Sequence, residues 1–159
     1  MNIKIICIGK LKEKYWKDAV TEYSKRISGY AKVSITELKE VKLPNNPSEA
    51  DEKNVIKKEG HEILSCVNQN DYIIALAIEG KNLNSLELAE KIEELALKGI
   101  SDIIFIIGGS LGLSDEVIKR ADFKLSFSRM TFPHQMMRVI LLEQIYRSFK
   151  IIRNESYHK

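Results

Sequence analysis

The sequence predicts an α/β fold: a mostly parallel sheet flanked by helices, in one domain over residues 1–159. Three observations carry this expectation. Strand-like and helix-like signals alternate along the chain. Two runs, YIIALAI at 72–78 and IIFII at 103–107, are apolar almost throughout, as strands covered on both faces should be. With 159 residues, 44% hydrophobic and 30% charged, the chain can bury a real core and matches a globular composition. Disorder, collagen-like repeats and a disulfide scaffold are excluded on the same figures.

The elements follow in order. Residues 3–8 (IKIICI) are β-rich and end at Gly9. Tyr15, Trp16, Ala19, Val20, Tyr23 and Ile27 then recur at helical spacing, with Gly29 as a stop. Residues 33–38 alternate as a second strand, and Pro44 and Pro47 mark a loop. Ser48 and Asp51 stand at capping-box spacing, with Asp where Glu is usual, and start a charge-rich helix to about Val67. After the strand at 72–78, Asn84 and Glu87 repeat that spacing at the start of a helix to Lys98. Beyond 103–107 comes the loop GGSLG, and Ser114 then caps a short helix to about Ala121. Residues 125–128 read as a fifth strand. Pro133 suits the first turn of a last helix to about Ile151. A polar tail, 153–159, follows.

Cys7 and Cys66 sit in apolar runs with no metal-ligand spacing around them, so they read as buried thiols of a reducing compartment. No metal site is expected. No apolar run approaches the ~18 residues of a membrane span, and the apolar start is too short for a signal peptide. A cytoplasmic protein without a membrane partner is the expectation. The net charge of +3 does not by itself call for nucleic acid.

In a parallel sheet, ligands bind outside the carboxyl ends of the strands. That singles out the ends of the strands at 72–78, 103–107 and 125–128. Gly108, Gly109 and Gly112 let the backbone approach a ligand, but GGSLG is neither a dinucleotide fingerprint nor a P-loop, and a structural turn fits it equally. The stretch SFSRMTFPH at 126–134 puts Met130, Phe132 and Pro133 in a hydroxyl-rich loop, where they should line a cavity or an interface; such a pocket suits an adenine ring. The last helix is apolar on several stripes, which suggests burial against a second subunit. Arg138 and Arg147 within it read equally as solvated charge or as a phosphate-contacting patch. His61 reads as a surface residue, His134 as a structural hydrogen-bonding group, and Tyr157-His158 as a loose tail unless something holds it over a site.

Several of these segments together resemble the RlmH family. They are FIIGGSLG at 105–112, LSFSRMTFPHQ at 125–135, LEQIYR at 142–147 and the closing YHK at 157–159. IGKLK at 8–12 and EYSKR at 22–26 are also similar. These are small ribosomal RNA methyltransferases of the SPOUT superfamily, and the resemblance runs over essentially the whole chain. It implies S-adenosylmethionine as methyl donor, N3 of a pseudouridine in 23S ribosomal RNA on the assembled ribosome as acceptor, a homodimer, and a deep trefoil knot in the C-terminal half. The topology rules alone would give an unknotted sheet.

The resemblance carries cofactor contacts to Leu76, Gly108, Phe127, Ser128, Arg129, Met130, Thr131 and Phe132, and the glycine loop adds Gly109 and Gly112. These lie in the three strand-end loops already singled out. For the methyl transfer so implied, the tail offers Arg153, Tyr157 and His158 as the catalytic groups. The His158 imidazole can handle the N3 proton, Tyr157 can stack on a base, and Arg153 and Lys159 can meet phosphate or a carbonyl. Two phenylalanines, Phe127 and Phe132, stand where the family often has leucine, and Ser156 stands where proline is common. The competing classes are a SPOUT enzyme acting on transfer RNA and a non-catalytic ribosome-associated module.

Overall fold

The computed structural model describes residues 1–159. Strands and helices alternate: β1 (Asn2–Ile8), α1 (Lys14–Ile27), β2 (Lys32–Leu38), α2 (Glu49–Ser65), β3 (Tyr72–Asn82), α3 (Ser85–Leu97), β4 (Asp102–Ile107), α4 (Asp115–Arg120), β5 (Phe123–Ser126) and α5 (His134–Ile152). The sheet order is β2-β1-β4-β3-β5 and every pairing is parallel. All five strands therefore end at one edge, and the loops that follow them gather there.

The two-residue period of a strand sorts the core into two layers. Ile3, Ile5 and Cys7 of β1 and Ile103, Phe105 and Ile107 of β4 face α1, α3 and α5. Ile6, Ile8, Ile104 and Ile106 face the other way, toward Ile63 of α2 and Val117 of α4. The expected α/β arrangement is thus a three-layer sandwich. No helix is long and apolar enough to cross a membrane.

Both capping boxes form. Ser48 Oγ accepts from Asp51 N at 3.2 Å and Asp51 Oδ2 accepts from Ser48 N at 2.8 Å, so the shorter Asp serves where Glu is usual. Asn84 and Glu87 make the same pair of bonds.

Three sequence expectations shift. The fifth strand lies at 123–126 rather than 125–128. Asp122 bonds Ile73 through both its backbone and its carboxylate, which starts the pairing early. The Ser126 hydroxyl donates to Ser128 O and turns the chain away. β3 runs to Asn82 because Leu125 pairs with both Leu76 and Lys81, with the residues between looped out. Gly80 fits there because any Cβ would stand 2.8 Å from the Lys124 and Leu125 backbone. Finally, Cys66 is only half-buried, whereas burial pushes the Cys7 thiol up to about 11 despite the nearby Arg138 charge.

Candidate active site

The bulged middle of β3 and the loops after β4 and β5 enclose a cleft of about 670 Å³. Of the ten residues expected to bind a cofactor, Leu76, Gly108, Gly109, Gly112, Phe127, Ser128, Met130, Thr131 and Phe132 line it. Arg129 does not; it is exposed.

Each loop has a local cause. The β4 loop folds back on itself, with Gly112 N donating to Gly109 O at 3.1 Å. A Cβ on Gly108 would lie 2.9 Å from the Gly112 carbonyl carbon, so only glycine lets the turn close this tightly. In the β5 loop, the hydroxyls expected from the sequence hold backbone. Ser126 Oγ bonds Ser128 O, Met130 N donates to Ser128 Oγ at 3.0 Å, and Asn82 Nδ2 donates to Ser126 O at 2.8 Å. Met130 stands at the rim and is 71% exposed.

The helix α5 closes one wall of the cleft with His134 and Met137. His134 makes no side-chain hydrogen bond within the chain, contrary to expectation; its Nε2 instead lies near Gly9. Arg138, one turn on, is fully buried. Its Nη1 donates to Glu37 Oε1 at 2.8 Å, and its Nη2 donates to Ile8 O and Gly9 O at 2.9 and 2.7 Å. It is neither a solvated charge nor a phosphate contact: it ties α5 to the ends of β1 and β2.

Behind the glycine loop stands Glu59 of α2, 4% exposed. Its Oε1 accepts from Val41 N at 3.0 Å, and its Oε2 lies against Gly109. Burial, with help from the Glu40 charge, raises its carboxyl above the usual range, while the Val41 N–H works against that. Sequence reading missed this residue because a Glu in a charge-rich helix looks solvated.

The tail is not loose. Tyr157 stacks edge-on against Tyr146 at 4.9 Å and its hydroxyl donates to Glu143 Oε1 at 3.2 Å. Burial foremost, then the Glu143 charge, raises its phenol above the ordinary value. Arg147 donates to the same carboxylate at 2.6 and 3.0 Å, sits 4.7 Å over the Tyr157 ring, and reaches within 3.3 Å of His158 Nδ1. Arg153 lies 4.7 Å over the Tyr30 ring, and Glu155 accepts from Tyr30 and Lys150. Glu143 and Arg147, four residues apart, are thus the anchors of the tail; that spacing was the signal available in the sequence.

Tyr157 and His158 are thus held on Glu143, Tyr146 and Arg147 of α5, and Arg153 on Tyr30, but none of the three lines the cleft of its own chain. From His134 at the cleft to Glu143 under the tail, the helix advances about 14 Å. No cluster of His, Cys, Asp or Glu could hold a metal.

Comparison with known proteins agrees with this architecture. A solved structure from Haemophilus influenzae, described as a probable methylase family protein, superposes over 99% of this chain and 70% of its own with a TM-score of 0.56 at 15% identity, a likeness of fold. The ribosomal RNA large subunit methyltransferase H of Clostridium novyi is 62% identical, and that of Bacillus pumilus 58%, each over the full length of both chains. A family model described as predicted SPOUT methyltransferase matches residues 1–158. The chain belongs to the SPOUT methyltransferase family.

Proposed function

We propose that this protein is an S-adenosylmethionine-dependent methyltransferase that modifies N3 of a pseudouridine in large-subunit ribosomal RNA, working as a homodimer on the assembled ribosome. The observation that carries the reading is the cleft at the strand ends, in a chain 62% identical throughout to a ribosomal RNA large subunit methyltransferase H. Its volume of about 670 Å³ falls in the range of small-molecule sites, and its mix of apolar side chains with loop backbone suits a purine and a polar chain. S-adenosylmethionine, when bound, supplies an electrophilic sulfonium methyl group. Leu76, Phe127 and Phe132 would hold its apolar parts, and the 108–112 backbone its polar ones.

The tail supplies what the cleft lacks. In one chain it packs too far along α5 to serve its own cleft, so the tail of one protomer completes the cleft of the other. Apolar side chains left half-buried on α5, among them Met136, Val139 and Ile140, support that helix as the dimer contact. The deep trefoil knot that the family implies in the C-terminal half is part of this reading.

Within the composite site each group has a distinct task. Holding acceptor nitrogen and methyl group in line is the main contribution to rate. Tyr157, neutral at ordinary pH, offers a ring to stack on the base. Arg147 keeps its protons, so its contact makes His158 Nδ1 an acceptor and leaves the hydrogen on Nε2. His158 then donates to a carbonyl of the target base and stabilises the anion formed as the N3 proton departs to water. Arg153 and Lys159 add positive charge for the same anion or a flanking phosphate.

A chain ending at Asn154 tests the division of labour. It should bind S-adenosylhomocysteine as the full chain does by calorimetry and remain a dimer, while methylation of ribosomes lacking the modification falls at least 100-fold. Full activity in the truncated chain would overturn the role of the tail.

A further inference from the structure

A second concavity, about 960 Å³, opens at the same sheet edge between the loop after β2 and the outer face of α2. Only one of its nine lining residues is hydrophobic, so it does not suit an apolar ligand. Lys39, Lys42, Lys57 and Lys58 line it against Glu40 and Glu62. All four lysines are exposed, and none joins an ion pair. Four lysines against two glutamates leave the lining net positive, and one Glu40 oxygen lies near Gly9 at the end of β1.

The position of this groove matters as much as its charge. Its wall includes Val41, whose N–H is held by Glu59 Oε1, while Glu59 Oε2 backs Gly109 in the cleft. Groove and cleft thus share one buried carboxylate as a partition. In the sheet, β2 is two strands from β4, about 10 Å at the usual strand spacing. A stacked nucleic-acid strand advances about 3.4 Å per phosphate, so roughly three nucleotides span that gap. The groove also lies on the α2 face, opposite the α1, α3 and α5 layer, so a dimer made through α5 leaves it open.

We propose that this groove is the track for the RNA backbone: it takes the phosphates about three nucleotides from the base held in the cleft. The inference rests on the reading of the cleft as an RNA methyltransferase site and deepens it by naming the surface that grips the substrate strand. Four unpaired ammonium groups act as point charges on phosphate, giving position and salt-sensitive affinity without sequence preference.

The test is Lys57→Ala/Lys58→Ala in the full-length protein, assayed on ribosomes lacking the modification at several salt concentrations. KM should rise about tenfold, and its logarithmic dependence on salt should flatten by about 1.5 for the two lost phosphate contacts. The kcat and the S-adenosylhomocysteine affinity should stay within twofold, and Lys57→Arg/Lys58→Arg should restore KM. A photoreactive group attached to Lys58→Cys should crosslink to ribosomal RNA. KM within twofold of the parent overturns the proposal, as do crosslinks to ribosomal protein alone. If the parent itself fails to methylate ribosomes, the reading of the cleft fails; a silent double variant beside an active parent refutes only the groove.

Discussion

Glu59 shows what a single buried carboxylate does for the site. One oxygen holds Val41 N, and the other stands behind Gly109. Its carboxyl is raised by burial, so the folded protein binds its proton more tightly than the unfolded chain. Stability from this group is fully present below the unfolded carboxylate range and is lost as pH rises through the raised folded value. Glu59→Gln keeps an acceptor for Val41 N and removes the buried charge. Its Tm should match the parent near pH 4 and exceed it at pH 7.5; a lower Tm at pH 7.5 would mean that the charge itself stabilises the loop. Nothing in the pattern of a helix reading EADEKNVIKKEGHEILS marks Glu59 as different from its charged neighbours, because its contacts, Val41 N and the Gly109 turn, come from loops outside the helix.

At the scale of elements, α5 connects everything functional. Its first turn lines the cleft, Arg138 locks it to β1 and β2, and its later turns carry the tail. Arg138 is in phase with Leu141, Leu142, Ile145 and Phe149, the buried stripe of the helix, a phase that reading it as solvated charge or a phosphate contact passed over. What could not be read was its partners, the carbonyls that a parallel strand leaves free at its end. Arg138→Met should cost about 3 kcal/mol in urea unfolding, because Ile8 O and Gly9 O lose their donor and Glu37 its partner. S-adenosylhomocysteine affinity should fall with it, since His134 and Met137 shift. A cost below about 1 kcal/mol would show that the helix is held by its apolar face alone. The element order itself followed from the sequence, because periodicity and capping boxes are local. The end of β3 and the place of β5 did not, because a double pairing at Leu125 and the Asp122–Ile73 bonds are long-range.

At the scale of the molecule, the modest charge of +3 on 159 residues looks slight for an RNA enzyme. The proposed dimer would carry twice that, and the groove beside α2 concentrates four unpaired lysines at the edge where the cleft opens. The three loops of the cleft were legible because strand ends in a parallel sheet share one edge. Of the tail's anchoring only the Glu143–Arg147 spacing was legible, because the contacts of Tyr157 and His158 reach across the turn after α5. The central claim is that each site is built from two chains. Activity after mixing two inactive variants tests it most directly: one chain ending at Asn154 with an intact cleft, and one carrying Gly108→Ala with an intact tail. Random exchange places one complete site in half of the dimers, so methylation should return to roughly a quarter of the parent level. A mixture that exchanges subunits, shown by native mass spectrometry, yet stays inactive would contradict the shared site.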